Sequence, residues 1–218
     1  MNNCLRKFKI NKNGFTLAEV LITLVIIGII AAMTIPTVIN NTQKQEYVSK
    51  LKKSYSAFAQ ATNKIIADEG TPPNWVTSPE NVYNMYKKYL VVAKDCNTES
   101  GCISSSGVYK QLQGGSNDYD TNKYRKLVLS DGTIVIFEHE SWVSSNCNIN
   151  QAGSKNICSY FNVDINGAKK PNTVGRDLFL FVIKEDGLYP AGCDTGNCPS
   201  WAGLDCACKV LRESAMNY

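Results

Sequence analysis

The sequence predicts an α+β protein: a long N-terminal helix, apolar and then amphipathic, packed on a small antiparallel β-sheet domain. Three observations predict it. Phe15 to Ile35 is an apolar run of 21 residues, near the length a helix needs to cross a bilayer. Past Pro36, apolar residues recur at three- and four-residue steps, the mark of one helical face turned to a core. Further on, β-rich runs flank Asp-Gly pairs, the mark of antiparallel hairpins.

The chain of 218 residues suits one ordinary domain plus an anchor. Its net charge of +4 is unevenly placed. Residues 1 to 14 carry Arg6, Lys7, Lys9 and Lys12 and no acid, and the remainder has 19 basic and 19 acidic side chains. The basic balance thus belongs to the first 14 residues, and a nucleic-acid partner is not expected.

The N-terminal elements come first. After the basic leader the chain reads Gly14-Phe15-Thr16-Leu17-Ala18-Glu19, followed by sixteen uncharged residues and Pro36. A carboxylate inside an apolar span costs about 2.5–3.5 kcal/mol on insertion scales, so Glu19 is a functional residue by default. A secretory signal peptide would place a small-residue cleavage site after the apolar core. Ala31-Ala32-Met33 is a poor version of one, and the core is too long. A plain transmembrane anchor accounts for the length but for neither Glu19 nor Gly14-Phe15.

Basic leader, Gly-Phe junction, carboxylate and apolar anchor, in that order, resemble the N-terminus of type IV pilins and type II secretion pseudopilins. The resemblance implies a cytoplasmic leader, residues 1–14, consistent with the positive-inside rule. Prepilin peptidase, a membrane aspartyl peptidase, would cut between Gly14 and Phe15, where glycine lets the backbone extend into a cleft. The same enzyme would methylate the new amino group of Phe15. Residues 15–36 would span the membrane and later form the filament core. Glu19 would pair with the terminal ammonium of a neighbouring subunit and set its register, because opposite charges in low dielectric relieve each other's desolvation. Pro36 would kink the helix. The implied partners are other pilin or pseudopilin subunits, prepilin peptidase, an inner-membrane assembly platform and the lipid bilayer.

Residues 37–70 continue the helix. Tyr47, Val48, Leu51, Tyr55, Phe58, Ala59, Thr62, Ile65 and Ile66 form its apolar face, and Lys44, Glu46, Lys50, Lys52, Lys53, Gln60 and Lys64 the polar one. That face packs on the globular domain, or alternatively on a coiled-coil partner. Gly70 and Thr71-Pro72-Pro73 stop the helix.

The globular part is 71–218. A second helix is expected at 79–93, with Ser78 as cap, Pro79 at the first position and Glu80 at the positive end of the dipole. Residues 94–122, rich in Gly, Ser, Asn and Asp, read as an irregular loop. Tyr124–Leu129, Asp131-Gly132 and Thr133–Glu138 read as a hairpin, with His139 a surface residue at its end. Cys158–Ile165 is a third strand. Asp177–Lys184 is a fourth, apolar on both faces. Asp186-Gly187 turns the chain to Leu188-Tyr189, and a short helix is expected at 204–214 after Trp201.

Nine cysteines are an awkward number for an exported protein. Cutting after Gly14 removes Cys4 and leaves Cys96, Cys102, Cys147, Cys158, Cys193, Cys198, Cys206 and Cys208, an even set suited to an oxidising compartment. Eight cysteines allow 105 connectivities. Cys96 with Cys102 would close a small loop, and Cys147 with Cys158 would staple a loop to a strand. Cys206 and Cys208 are too close to bridge each other, so each reaches back towards Cys193 or Cys198. A zinc site lacks a Cys-x-x-Cys pair. Free thiols are the remaining alternative.

One distal motif could carry chemistry. Asp164-Ile165-Asn166-Gly167, Pro171-Asn172 and Gly175-Arg176-Asp177 space oxygen-bearing side chains around a glycine turn, as calcium requires. Pseudopilins of the major class are similar in having a calcium loop near the C-terminus, and Asp164, Asn166 and Asp177 would be the side-chain ligands. No acid closes the loop at position twelve as in an EF-hand. The alternative is an Asx-turn loop, with Asp177 paired to Arg176 or Lys170. No nucleophile elbow, phosphate-binding loop or metalloprotease motif is present. The spaced carboxylates Asp118/Asp120 and Glu138/Glu140 read as solvated pairs, and enzyme activity is not expected.

The expected function is a structural subunit of a type IV pilus or related filament. It would be anchored once in the bacterial cytoplasmic membrane with the globular domain outside the cytoplasm, and end at the cell surface or in a periplasmic filament. A pseudopilin of a type II secretion or DNA-uptake system is one alternative. A membrane-tethered binding domain that never polymerises is another, in which Glu19 could be replaced without consequence.

Overall fold

The computed structural model describes residues 14–103, 107–138 and 143–218. Most of the leader, with Cys4, and the expected surface residue His139, with Glu140, lie outside the described residues. The chain divides into two compact units, Met1–Gln43 and Lys44–Tyr218.

Helix α1 runs over Leu17–Glu69 and passes through Pro36. Proline there removes the N–H that would bond the Ala32 carbonyl. In the first unit α1 is long and apolar enough to cross a membrane. Its large side chains from Val20 to Ile39 stand exposed.

In the second unit α1 buries Val48, Leu51, Ser54, Phe58, Ala61, Thr62 and Ile65, close to the predicted stripe. The helix ends because Gly70 adopts φ +86°, a conformation glycine takes without strain, and its N–H bonds the Ile66 carbonyl at 3.0 Å. A single turn, α2 (Pro72–Trp75), and α3 (Pro79–Tyr89) follow. Ser78 caps α3 by accepting from the Asn81 N–H at 3.0 Å.

The predicted helix over 79–93 stops at Tyr89. Leu90 is already extended, and Val92 pairs with Leu129 in strand β1 (Val92–Asn97). Cross-strand pairing has overridden local helix propensity here. The expected loop over 94–122 also holds the two-stranded ribbon β2 (Val108–Lys110) and β3 (Ser116–Asp118).

The predicted hairpin is β4 (Tyr124–Leu129) and β5 (Ile134–Glu138), in register from Tyr124↔Glu138 to Val128↔Ile134. A second ribbon, β6 (Ile149–Gln151) and β7 (Ser154–Ile157), turns at Ala152-Gly153, both at positive φ. Strands β8 (Ser159–Asp164), β9 (Leu178–Lys184) and β10 (Gly187–Pro190) complete an antiparallel sheet ordered β1-β4-β5-β8-β9-β10. Helix α4 (Cys206–Glu213) falls inside the predicted 204–214.

The sheet is buried on both faces. Phe179, Phe181 and Ile183 of β9 join Phe58, Tyr86, Phe137 and Phe161 under α1 and α3. Phe58 lies 5.3 Å from Phe161, 5.9 Å from Phe181 and 6.3 Å from Tyr86, ring centre to ring centre. The polar Tyr86 hydroxyl is satisfied by Thr62 Oγ1 at 2.6 Å. On the other face Leu178 packs with Tyr109, Ile134 and Ile136, and Leu180 and Val182 pack with Ile157 and Tyr160.

Candidate assembly site and distal loop

Gly14, Phe15 and Thr16 precede the first helical residue, Leu17. Phe15 is 89% exposed, and among the described residues no atom lies within 4 Å of a side chain added at Gly14. Thr16 is the helix cap. Its backbone N–H donates to Glu19 Oε2 at 2.8 Å and its hydroxyl to the same oxygen at 2.7 Å. The Glu19 N–H in turn donates to Thr16 Oγ1 at 3.2 Å. This is a reciprocal capping box, Thr-x-x-Glu, which satisfies donors that a helix start leaves orphaned. The signal is present in the sequence as Thr16-Leu17-Ala18-Glu19. The cap holds the carboxylate beside the chain end that cutting at Gly14 would create.

The distal motif forms one connected loop. Asp164 Oδ1 accepts from the N–H groups of Asn166 at 3.0 Å and Gly167 at 2.9 Å, and Oδ2 accepts from the Tyr109 hydroxyl. Asp177 Oδ2 accepts from Asn172 N–H at 2.7 Å and Asn166 Nδ2 at 3.1 Å, and Oδ1 from Thr173 N–H at 2.5 Å. Gly167, at φ +66°, sits against the carbonyl of Gly132 in the β4–β5 turn, where a Cβ would collide. Burial, with the Asp177 charge beside it, pushes the Asp164 carboxyl up to about 8. Burial also raises Asp177, against the pull of its backbone donors.

Asp164, Asn166 and Asp177 are therefore brought together. Tyr109, from ribbon β2, is the member that sequence reasoning missed. The donor chemistry, all oxygen, fits calcium, and Asn166 Oδ1 is buried without a hydrogen-bond partner among the described residues. Among the described residues no three His, Cys, Asp or Glu side chains gather around one point, so an ion here would rest on two carboxylates and amide oxygens.

The eight distal cysteines stand in four pairs: Cys96–Cys102, Cys147–Cys158, Cys193–Cys208 and Cys198–Cys206. Of the spaced carboxylates Asp118 and Asp120, Asp118 is exposed as expected and Asp120 is half-buried. Asp118 Oδ1 accepts from Asp120 N–H at 2.9 Å, and Asp120 faces the buried Lys126 ammonium at 3.7 Å. Glu138 is half-covered, with Tyr160 donating to it at 3.3 Å, and burial raises its carboxyl.

A long apolar helix with a capped carboxylate at its start, followed by an antiparallel domain, fits a single-pass membrane-anchored protein. Residues 9–35 match the family model described as the prokaryotic N-terminal methylation motif, the hallmark of the type IV pilin and pseudopilin signal. The motif implies processing by prepilin peptidase and assembly with other pilin-type subunits. No curated protein and no solved structure matches the chain.

Proposed function

We propose that this chain is a structural, non-catalytic subunit of a type IV pilus or a closely related filament. The observation that carries the reading is the methylation motif laid over a membrane-length apolar segment, residues 15–36, whose only charged side chain, Glu19, is fixed beside the cleavage junction. Prepilin peptidase cuts after Gly14 and methylates Phe15. The apolar helix then leaves lipid and packs against the same segment of other subunits. Little hydrophobic energy changes hands, because lipid tails and helix faces are alike apolar. The Glu19 charge therefore selects the register, by pairing with a terminal ammonium. In the distal loop, Asp164, Asn166 and Asp177 would hold calcium, which neutralises the two facing carboxylates.

The test is mass spectrometry of filaments sheared from native cells, beside the membrane pellet. Chains in the sheared fraction that start at Phe15 and are heavier by one methyl group support a surface pilin. The same processed chain confined to the pellet assigns it to a secretion or uptake pseudopilin. A chain that keeps residues 1–14 overturns both.

A further inference from the structure

A groove of about 390 Å³ lies between α1, the β4–β5 turn and the loop after β8, wholly within the globular unit. That volume is in the range of small-molecule sites. Its floor is apolar, with Val128 half-buried and Ile134 and Ile165 buried. Two hydroxyl residues stand in its wall, Ser54 of α1 at 5% exposure and Thr133 of the β4–β5 turn at 4%.

Neither hydroxyl bonds to another group among the described residues. A serine inside a helix can donate to the carbonyl one turn back. Thr62 does so, to Phe58 at 2.8 Å, and Ser54 does not. Thr133 uses only its backbone N–H, which donates to Asp131 Oδ1 at 3.1 Å. Buried polar groups are normally paired. Two side chains more than nine-tenths buried, lining one groove and unpaired within the chain, call for an occupant that supplies the partners.

Charge narrows the chemistry of that occupant. Lys50 and Lys53 also line the groove, but Glu46 and Asp131 neutralise them at 2.8 Å each. Lys169 lines it as well, is exposed, and makes no ion pair among the described residues. One positive charge is therefore left over. A fitting occupant brings an apolar body for the floor, one negative charge for Lys169, and acceptor oxygens for the two hydroxyls. A carboxylate supplies the charge and the acceptors together.

We infer that this groove is a binding site for a small aliphatic monocarboxylate, its hydrocarbon body on Val128, Ile134 and Ile165 and its carboxylate held by Lys169, Ser54 and Thr133. The bound acid would bridge α1 to the β4–β5 turn and so stabilise the globular unit. The site lies in that unit alone and does not depend on the filament reading.

The test is a titration of the full chain in detergent micelles, with isoleucine methyl groups labelled for NMR. The probe is isocaproate, the anion of a branched six-carbon acid. Ile134 and Ile165 report the groove, whereas Ile22 and Ile26, exposed on the apolar helix, report the micelle. Isocaproate should shift the first pair saturably, with a midpoint on the order of 1–10 mM, and leave the second pair in place. Isocaproamide, alike in shape but uncharged, should bind about threefold more weakly, and Lys169→Gln should abolish that difference. Thr133→Val should weaken isocaproate about fivefold without lowering the melting temperature, because the hydroxyl it removes has no partner in the fold. Shifts at Ile134 and Ile165 that never saturate overturn the inference, and so does equal affinity for acid and amide. A lower melting temperature for Thr133→Val overturns it too, by assigning the hydroxyl to a bond of the fold's own.

Discussion

Glu19 caps the helix and, in the proposed filament, would also supply a paired charge; alanine removes both and glutamine separates them. Its carboxylate closes the capping box with Thr16, and its charge would pair with a terminal ammonium in the filament. Glutamine serves in a capping box as well as glutamate does, so Glu19→Gln keeps the helix start and deletes the charge. Thr16→Val does the opposite, removing the hydroxyl and leaving the charge. The cap is worth about 1 kcal/mol. Leaving one partner of a buried ion pair alone costs about 3–5 kcal/mol, more than a hundredfold in an incorporation equilibrium. Quantifying the sheared filament fraction against the membrane fraction reads the difference directly. The expected order is a severe loss for Glu19→Gln and a loss of about fivefold or less for Thr16→Val. If Glu19→Gln assembles like the native chain while Thr16→Val does not, the residue is a helix cap and the pairing argument fails.

Four further outcomes follow from the globular unit. Phe58→Ala, at a fully buried position that joins α1 to the sheet, should cost about 3–5 kcal/mol in a urea titration. A loss below about 1 kcal/mol would mean the ring is not part of a tightly packed core. Asp164 holds its proton more tightly when folded, up to about 8, than in an unfolded chain, where a value of about 3.9 is usual. Its contribution is therefore complete below about pH 4 and is lost as pH rises through the folded value. Asp164→Asn should flatten that slope of stability between pH 5 and 8.5, and an unchanged slope would refute the assignment. Calcium at about a hundred times its dissociation constant should add about 2.7 kcal/mol, read as a raised melting temperature that Asp177→Asn abolishes. No shift in the native chain would leave the loop closed by its N–H donors and the Tyr109 hydroxyl. Replacing Cys193 and Cys208 by serine, which opens a loop of 15 residues, should cost about 3 kcal/mol by thermal unfolding.

The elements that proved legible are those whose signals are local and repeated. The stripe from Val48 to Ile65 declares a face because each apolar residue has another one turn away. Asp131-Gly132 declares its hairpin because the turn's backbone demands those residues. The motif at Gly14 to Glu19 is compact enough to be read without any fold. What stayed hidden depends on partners distant in sequence. Strand β1 looks like a helix end until β4 is beside it, and its charged Lys94 and Asp95 suit an exposed edge more than a core. The β6–β7 turn uses Ala152-Gly153, which lacks the usual asparagine or aspartate. Tyr109 belongs to the Asp164 loop only because a three-residue ribbon, 55 positions earlier, is folded against it.

The four cystine bridges join residues 6, 11, 15 and 8 positions apart, and none includes a residue of α1. They reinforce loops and leave the helix tied to the sheet by packing, with a few hydrogen bonds and ion pairs such as Tyr55 to the Leu188 carbonyl and Lys53 to Asp131. A tensile load entering at the N-terminal end of α1 would thus meet no disulfide before the backbone at Gly70. Phe58, Leu51 and Ile65 would have to slide off β8 and β9 while the cross-linked remainder stayed intact. Under traction the seam to open first would be the interface between helix and sheet, with the bridged loops preserved as a template for closing it again.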